Sequence, residues 1–118
     1  MNWIDSLHRM RSLEKGWNGH SADPPSEDAL AVAAAVLSEL EGIAGPPDNL
    51  DATLHGCLGI TYWSRDRRRI VRVCIQDDGT ILASNHDARP RWVEPDLDGV
   101  RRLGREILDF LADAEARS

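Results

Sequence analysis

The run LGITYWSRDRRRIVRVCIQDDGTILAS, Leu58 to Ser84, decides the fold. Its apolar residues recur with period two. Leu58, Ile60 and Tyr62 fall on one side, and Cys57, Gly59 and Thr61 on the other. After a polar turn, SRDRR, Val71, Val73 and Ile75 alternate with Arg72, Cys74 and Gln76. Alternation of this kind predicts an antiparallel hairpin with one apolar face. Asp78-Gly79 is a hairpin turn signal, so Thr80 to Ser84 is the expected third strand. Two registers keep the apolar face intact. One aligns Leu58 with Val73 and sets Cys57 opposite Cys74. The other aligns Leu58 with Ile75 and Ile60 with Val73, and separates the cysteines.

Working outward, the period changes to helical. Trp3, Ile4, Leu7, Met10 and Leu13 predict an amphipathic helix over residues 2–15, with Gly16 as its stop. Ser26 follows Pro24 and Pro25 and precedes Glu27 and Asp28, which is a helix start. Leu30, Ala33, Val36, Leu37 and Leu40 make the buried stripe of this second helix, and Gly42 is its expected end. Residues 45–49 read as a loop. Past the hairpins, Asn85 to Pro90 read as another loop and Arg91-Trp92-Val93 as a short edge strand. Pro95 and Asp96 start a last helix with Leu97, Val100, Leu103, Ile107, Leu108 and Leu111 on its apolar side. The expected fold is therefore α+β: two N-terminal helices, a three- to four-stranded antiparallel meander, and a C-terminal helix, as one domain over 1–118.

The segment between the first two helices, Leu13 to Pro25, holds Trp17 among glycines. Trp17 is expected to plug the gap between the helices, with Gly16 and Gly19 supplying unusual backbone angles. Trp17-Asn18-Gly19-His20-Ser21-Ala22-Asp23-Pro24-Pro25 resembles a W-D-G-Y-G-A-x-P-P type motif of small bacterial and phage α+β proteins. In that group a helix follows, then a strand ending in an aromatic-Trp pair, here Tyr62-Trp63, then a strand leading to a D-G turn, here Asp78-Gly79. The resemblance spans roughly residues 10–84. It implies a compact α+β module from mobile DNA, and it implies no catalytic residue. The chain departs from the motif at Asn18, where Asp is usual, and at His20, where Tyr is usual. Both are candidate partner contacts on a shaped loop.

Composition narrows the function classes. No apolar run approaches the roughly 20 residues of a membrane span, and the start of the chain has no basic segment followed by an apolar one. A cytoplasmic location with no membrane partner is expected. The net charge is −6. Residues 1–51 carry nine acidic and three basic side chains, and residues 52–118 carry eleven of each. Arg65, Arg67, Arg68, Arg69 and Arg72 crowd one hairpin against Asp66. Charge divided in this way points to electrostatic partner choice.

The arginine hairpin admits three readings: a solvated strand face, contact with a partner's acidic surface, or phosphate contact with nucleic acid. Cys57 and Cys74 are too few for a disulfide scaffold. With His55 they form a conceivable soft-metal set without a fourth ligand, so no metal or cofactor is expected. No nucleophile–base motif is present. The reading that follows is a non-enzymatic protein-binding module. It fits a stoichiometric inhibitor of the anti-CRISPR, antitoxin or immunity type from a phage or mobile element. Glu27, Asp28, Glu39 and Glu41 on the second helix are the acidic contact candidates. The alternatives are a nucleic-acid binder using Arg65 to Arg72 and a small enzyme of unknown reaction. A homodimer through the Trp92 edge strand is a further possibility.

Overall fold

Period-two alternation becomes a five-stranded antiparallel sheet in the computed structural model, which describes residues 3–13, 25–52, 57–64, 69–85, 88–94 and 96–117, with backbone alone at 88–89 and 112–117. The strands are β1 (Asn49–Ala52), β2 (Leu58–Trp63), β3 (Ile70–Ile75), β4 (Ile81–Asn85) and β5 (Ala88–Val93). They lie side by side in chain order, a plain meander. The sheet thus has more strands than the three or four expected. β1 is not among the expected strands: Asn49 falls in the expected loop of residues 45–49, and the four residues hold one buried large apolar side chain, Leu50. A single such residue shows no period. β5 begins at Ala88, inside the expected loop of residues 85–90. Its ladder with β4 carries an irregularity between Ala83 and Asn85, which hides the alternation.

The register is the one that separates the cysteines. Leu58 faces Ile75, Gly59 faces Cys74 and Ile60 faces Val73. The turn accounts for this choice. The buried Ser64 donates its N–H to the Arg69 carbonyl (3.0 Å), and its hydroxyl accepts the Arg69 N–H (3.1 Å). That closes the hairpin with Ser64 opposite Arg69. Cys57 falls beside Gln76, with its thiol 3.8 Å from the Gln76 amide oxygen, and neither cysteine is in a disulfide.

Three helices are seen among the described residues: α1 (Trp3–Arg11), α2 (Glu27–Ala44) and α3 (Leu97–Arg117). Ser26 caps α2 through its hydroxyl, which accepts the Ala29 N–H at 3.0 Å. The same hydroxyl donates to the Asp77 carbonyl at 2.6 Å and ties the helix start to the β3–β4 turn. Gly42 does not end α2. The stop is Gly45, whose φ of 84° only glycine adopts readily and whose N–H donates to Glu41. α1 is shorter than expected. Its last turn tightens to i→i+3 bonds from Ser12 and Leu13 to Arg9 and Met10. Asp96 begins α3 by accepting the Gly99 N–H on its carboxylate at 2.7 Å.

The helices form one layer against one face of the sheet. Leu50, Ile60, Val73 and Ala83 line that face in one ladder row, and Leu58, Ile75, Ile81 and Val93 in the next. They meet Leu30, Leu37 and Leu40 of α2 and Val100, Leu103 and Ile107 of α3 in a single core. Tyr62 joins this face, buried, and its hydroxyl donates to the Gly45 carbonyl at 3.0 Å. Burial, with Asp48 and Glu41 nearby, raises its pKa well above the ordinary phenol value. Leu97 and Leu108 are not in the core, contrary to the sequence expectation: they are 48% and 46% exposed. At about 100° per residue they share a line roughly 95° from the centre of the stripe formed by Val100, Leu103 and Ile107.

Candidate protein-binding surface

α2 and α3 run parallel. Arg101 reaches Glu39 at 3.4 Å, and a Cβ on Gly104 would touch Ile43, so residue numbers rise together along the pair. The start of α3 therefore lies beside Val32, Ala35 and Val36, in the first half of α2. The β3–β4 turn lies there too, through Ser26 and Asp77 and through Gly79 against Val32. So does the end of β5, because Ile81 pairs with Val93. Three described segments thus meet at this end: residues 25–32, 74–82 and 92–100, with residue 95 outside the description. They bring Glu27, Asp28, Asp77, Asp78, Glu94, Asp96 and Asp98 together, and they contain no lysine or arginine. Two of these carboxylates serve the backbone. Asp96 caps α3, and Asp78 accepts the Thr80 N–H (3.0 Å) and hydroxyl (2.7 Å), which hold its pKa below the usual value. Glu27, Asp28, Glu94 and Asp98 pair with no basic side chain among the described residues.

Beside this acidic end the surface turns apolar. A cleft of about 180 Å³ opens between α2 and α3, lined by Val32, Ala35, Val36, Leu97 and Val100, with Glu39 and Asp96 as its charged residues. The exposed Leu97 forms one lip. A second pocket, of about 40 Å³, lies between the β4–β5 edge and α3, where Arg91 and Glu106 form an ion pair beside Ser84 and Asn85. Small-molecule sites usually offer several hundred Å³.

Of the described hairpin arginines, Arg69 lies toward the other end and Arg72 in the middle of β3. Arg69 stacks over the Phe110 ring at 4.7 Å, and Arg72 pairs with Asp51 at 3.3 Å across the open face of the sheet. A Cβ on Gly59 would lie 2.9 Å from both partners of that pair, so glycine leaves the room the pair occupies. Arg65, Arg67 and Arg68 lie outside the described residues, as do Asn18, His20, the Trp17 loop and His55. Among the described residues no three His, Cys, Asp or Glu side chains converge in a metal-holding group.

The four acidic candidates on α2 do not share one face. Glu39 turns to Arg101 on α3, whereas Glu41 accepts the Trp3 indole N–H at 2.9 Å on the α1 side. The two positions lie about 200° apart around the helix. Glu27 and Asp28 stand at the helix start, within the acidic end. Among the described residues Trp92 is the most exposed large apolar one at 67%, and it shares its ladder row with Cys74 and Leu82 on the open sheet face. The strand that carries it also carries Pro90, which has no N–H, and the irregular pairing at Ala83 to Asn85. Both features discourage another strand from adding there.

The sequence reading named Glu27 and Asp28 and missed Asp77, Asp78, Glu94, Asp96 and Asp98 as their companions. Each of those had a local explanation as a turn or helix-start residue, and nothing in the linear pattern says the three segments meet. A signal for the cleft was present: Val32 stands apart from the Leu30, Leu37 and Leu40 stripe, and Leu97 pairs with Leu108 on a line of its own. The helices of the described residues include none long and apolar enough to cross a membrane. No protein-family model matches the chain, and no curated protein and no solved structure matches it.

Proposed function

We propose that this protein is a non-enzymatic binding module that meets a basic surface of a protein partner with its acidic end. The observation that carries the reading is the convergence of seven carboxylates from residues 25–32, 74–82 and 92–100, with no lysine or arginine in those segments. Keeping so many like charges together weakens the fold by self-repulsion. A complementary partner relieves that repulsion and gains fast, steered association. The shallow clefts and the small size suit a stoichiometric inhibitor. An accessory protein of a phage or mobile element, directed at a nucleic-acid-binding surface of a defence enzyme or a toxin, fits this form, and the motif around Trp17 points to the same setting.

The reading is tested by affinity capture of the tagged chain from a bacterial lysate, followed by measurement of stoichiometry and affinity. A one-to-one protein complex is expected. Its affinity falls by at least about tenfold in Glu27→Lys/Asp28→Lys, and it weakens as salt rises. Unchanged affinity in that variant contradicts the reading. Recovery of nucleic acid alone moves the function to the arginine hairpin.

A further inference from the structure

We infer that the cleft between α2 and α3 receives a basic amphipathic helix of the protein partner; this deepens the proposed function and rests on it. The argument is one of shape and charge together. The floor and lips of the cleft are apolar: Val32, Ala35, Val36, Leu97 and Val100. Ala35 and Leu97 are exposed, and Val32 is half-buried. Apolar side chains left open along two parallel helices match the spaced anchors of a third helix, whose i, i+3 and i+4 positions repeat at the same pitch. The alanine at position 35 keeps the approach low, so the visiting backbone can come near α2. The volume, about 180 Å³, holds one or two large aliphatic side chains and is small for a metabolite.

Charge selects among helical visitors. Both ionisable residues that line the cleft are acidic, Glu39 and Asp96. The cleft lies beside the segments that carry Asp28, Glu94 and Asp98, which meet no cation among the described residues. The positive dipole ends of the two helix starts are already met, by Ser26 and by Asp96. What remains outward is negative. A helix with leucines on one side and lysines or arginines beside them satisfies both features. An acidic helix, or a second copy of this chain presenting its own acidic end, is repelled. Arg101 is held by Glu39, a lining residue of the cleft.

The test uses the full chain, ¹³C-methyl labelled, and a designed 14-residue leucine–lysine amphipathic peptide as the probe. A leucine–glutamate peptide of the same pattern and a scrambled leucine–lysine peptide serve as comparisons. Saturable shifts in the methyls of Val32, Ala35, Val36, Leu97 and Val100 are expected with the first peptide, with little response to the other two. Ala35→Lys places a charge on an exposed α2 position in the cleft and should weaken binding about tenfold. Asn49→Lys adds the same charge on β1 and should change it less than twofold. Circular dichroism of both variants confirms that the helices persist. Shifts spread over the acidic end and sparing the cleft methyls overturn the inference while leaving the proposed function standing. Shifts centred on the Trp92 face overturn both, and equal response to the glutamate peptide removes the charge argument.

Discussion

Two regions of this molecule treat charge in opposite ways. Away from the acidic cluster, arginines are matched within the chain: Arg69 lies on Phe110, Arg72 on Asp51, Arg91 meets Glu106 and Arg101 meets Glu39. Within that cluster, Glu27, Asp28, Glu94 and Asp98 meet no cation among the described residues. The lesson is that a net charge of −6 says little about where recognition resides. A cluster of arginines in the sequence looks like the binding site because it is dense. In the fold, its described members are engaged by aromatic and acidic neighbours. The carboxylates look unremarkable one by one, since each is a plausible cap or turn residue. Only the meander, by bringing the β3–β4 turn and the end of β5 beside the first half of α2 and the start of α3, makes them a surface.

The comparison breaks most visibly if binding follows the arginines. Neutralising the acidic end in Glu27→Gln/Asp28→Asn/Glu94→Gln/Asp98→Asn is expected to weaken the partner complex by about a hundredfold, read by calorimetry at low salt. Arg69→Gln/Arg72→Gln is expected to leave that affinity within about twofold. It lowers unfolding stability by about 1 kcal/mol, read by urea denaturation, because it removes one exposed ion pair and one cation–π contact.

Stability measurements sharpen the same contrast. Ser26→Ala removes the cap of α2 and its bond to Asp77, which holds the acidic end together, and should cost about 1–2 kcal/mol. At the opposite end of α2, Tyr62→Phe loses the bond to Gly45 and should cost about 1 kcal/mol. The tyrosine also has a pH signature. Its folded pKa is raised, so the stability it supports is fully present below its unfolded value of 10.0 and is lost as pH rises beyond it. The alkaline loss should be smaller in Tyr62→Phe.

The smallest effect belongs to Asp78. Its folded pKa is depressed by the Thr80 N–H and hydroxyl. The stability it gives is present above its unfolded value of 3.8 and fades as pH falls through the lower folded value. Asp78→Asn should flatten the acid side of the stability profile slightly.

Much of the fold was legible because its signals are local. Ser26 and Asp96 mark helix starts in the sequence and cap them in the structure. The alternation from Leu58 to Ile75 yields two strands with Tyr62 inward. Register was not legible, because the choice between alignments lay in Ser64, whose buried hydroxyl and N–H both bind Arg69. Nor was β1, whose inward side chains are only Leu50 and the small Ala52. The candidate surface was half legible. Glu27 and Asp28 could be named as exposed acids at a helix start. That Glu39 and Glu41 turn to opposite flanks, toward Arg101 and Trp3, depends on where α1 and α3 pack.

The most direct test is calorimetric titration of the captured partner with three proteins side by side: the unaltered chain, the four-fold neutralised acidic end, and Arg69→Gln/Arg72→Gln. The account predicts a loss of about a hundredfold for the acidic-end variant and near-unchanged affinity for the arginine variant. The reverse order, with the arginine variant losing binding and the acidic-end variant retaining it, would contradict the central claim.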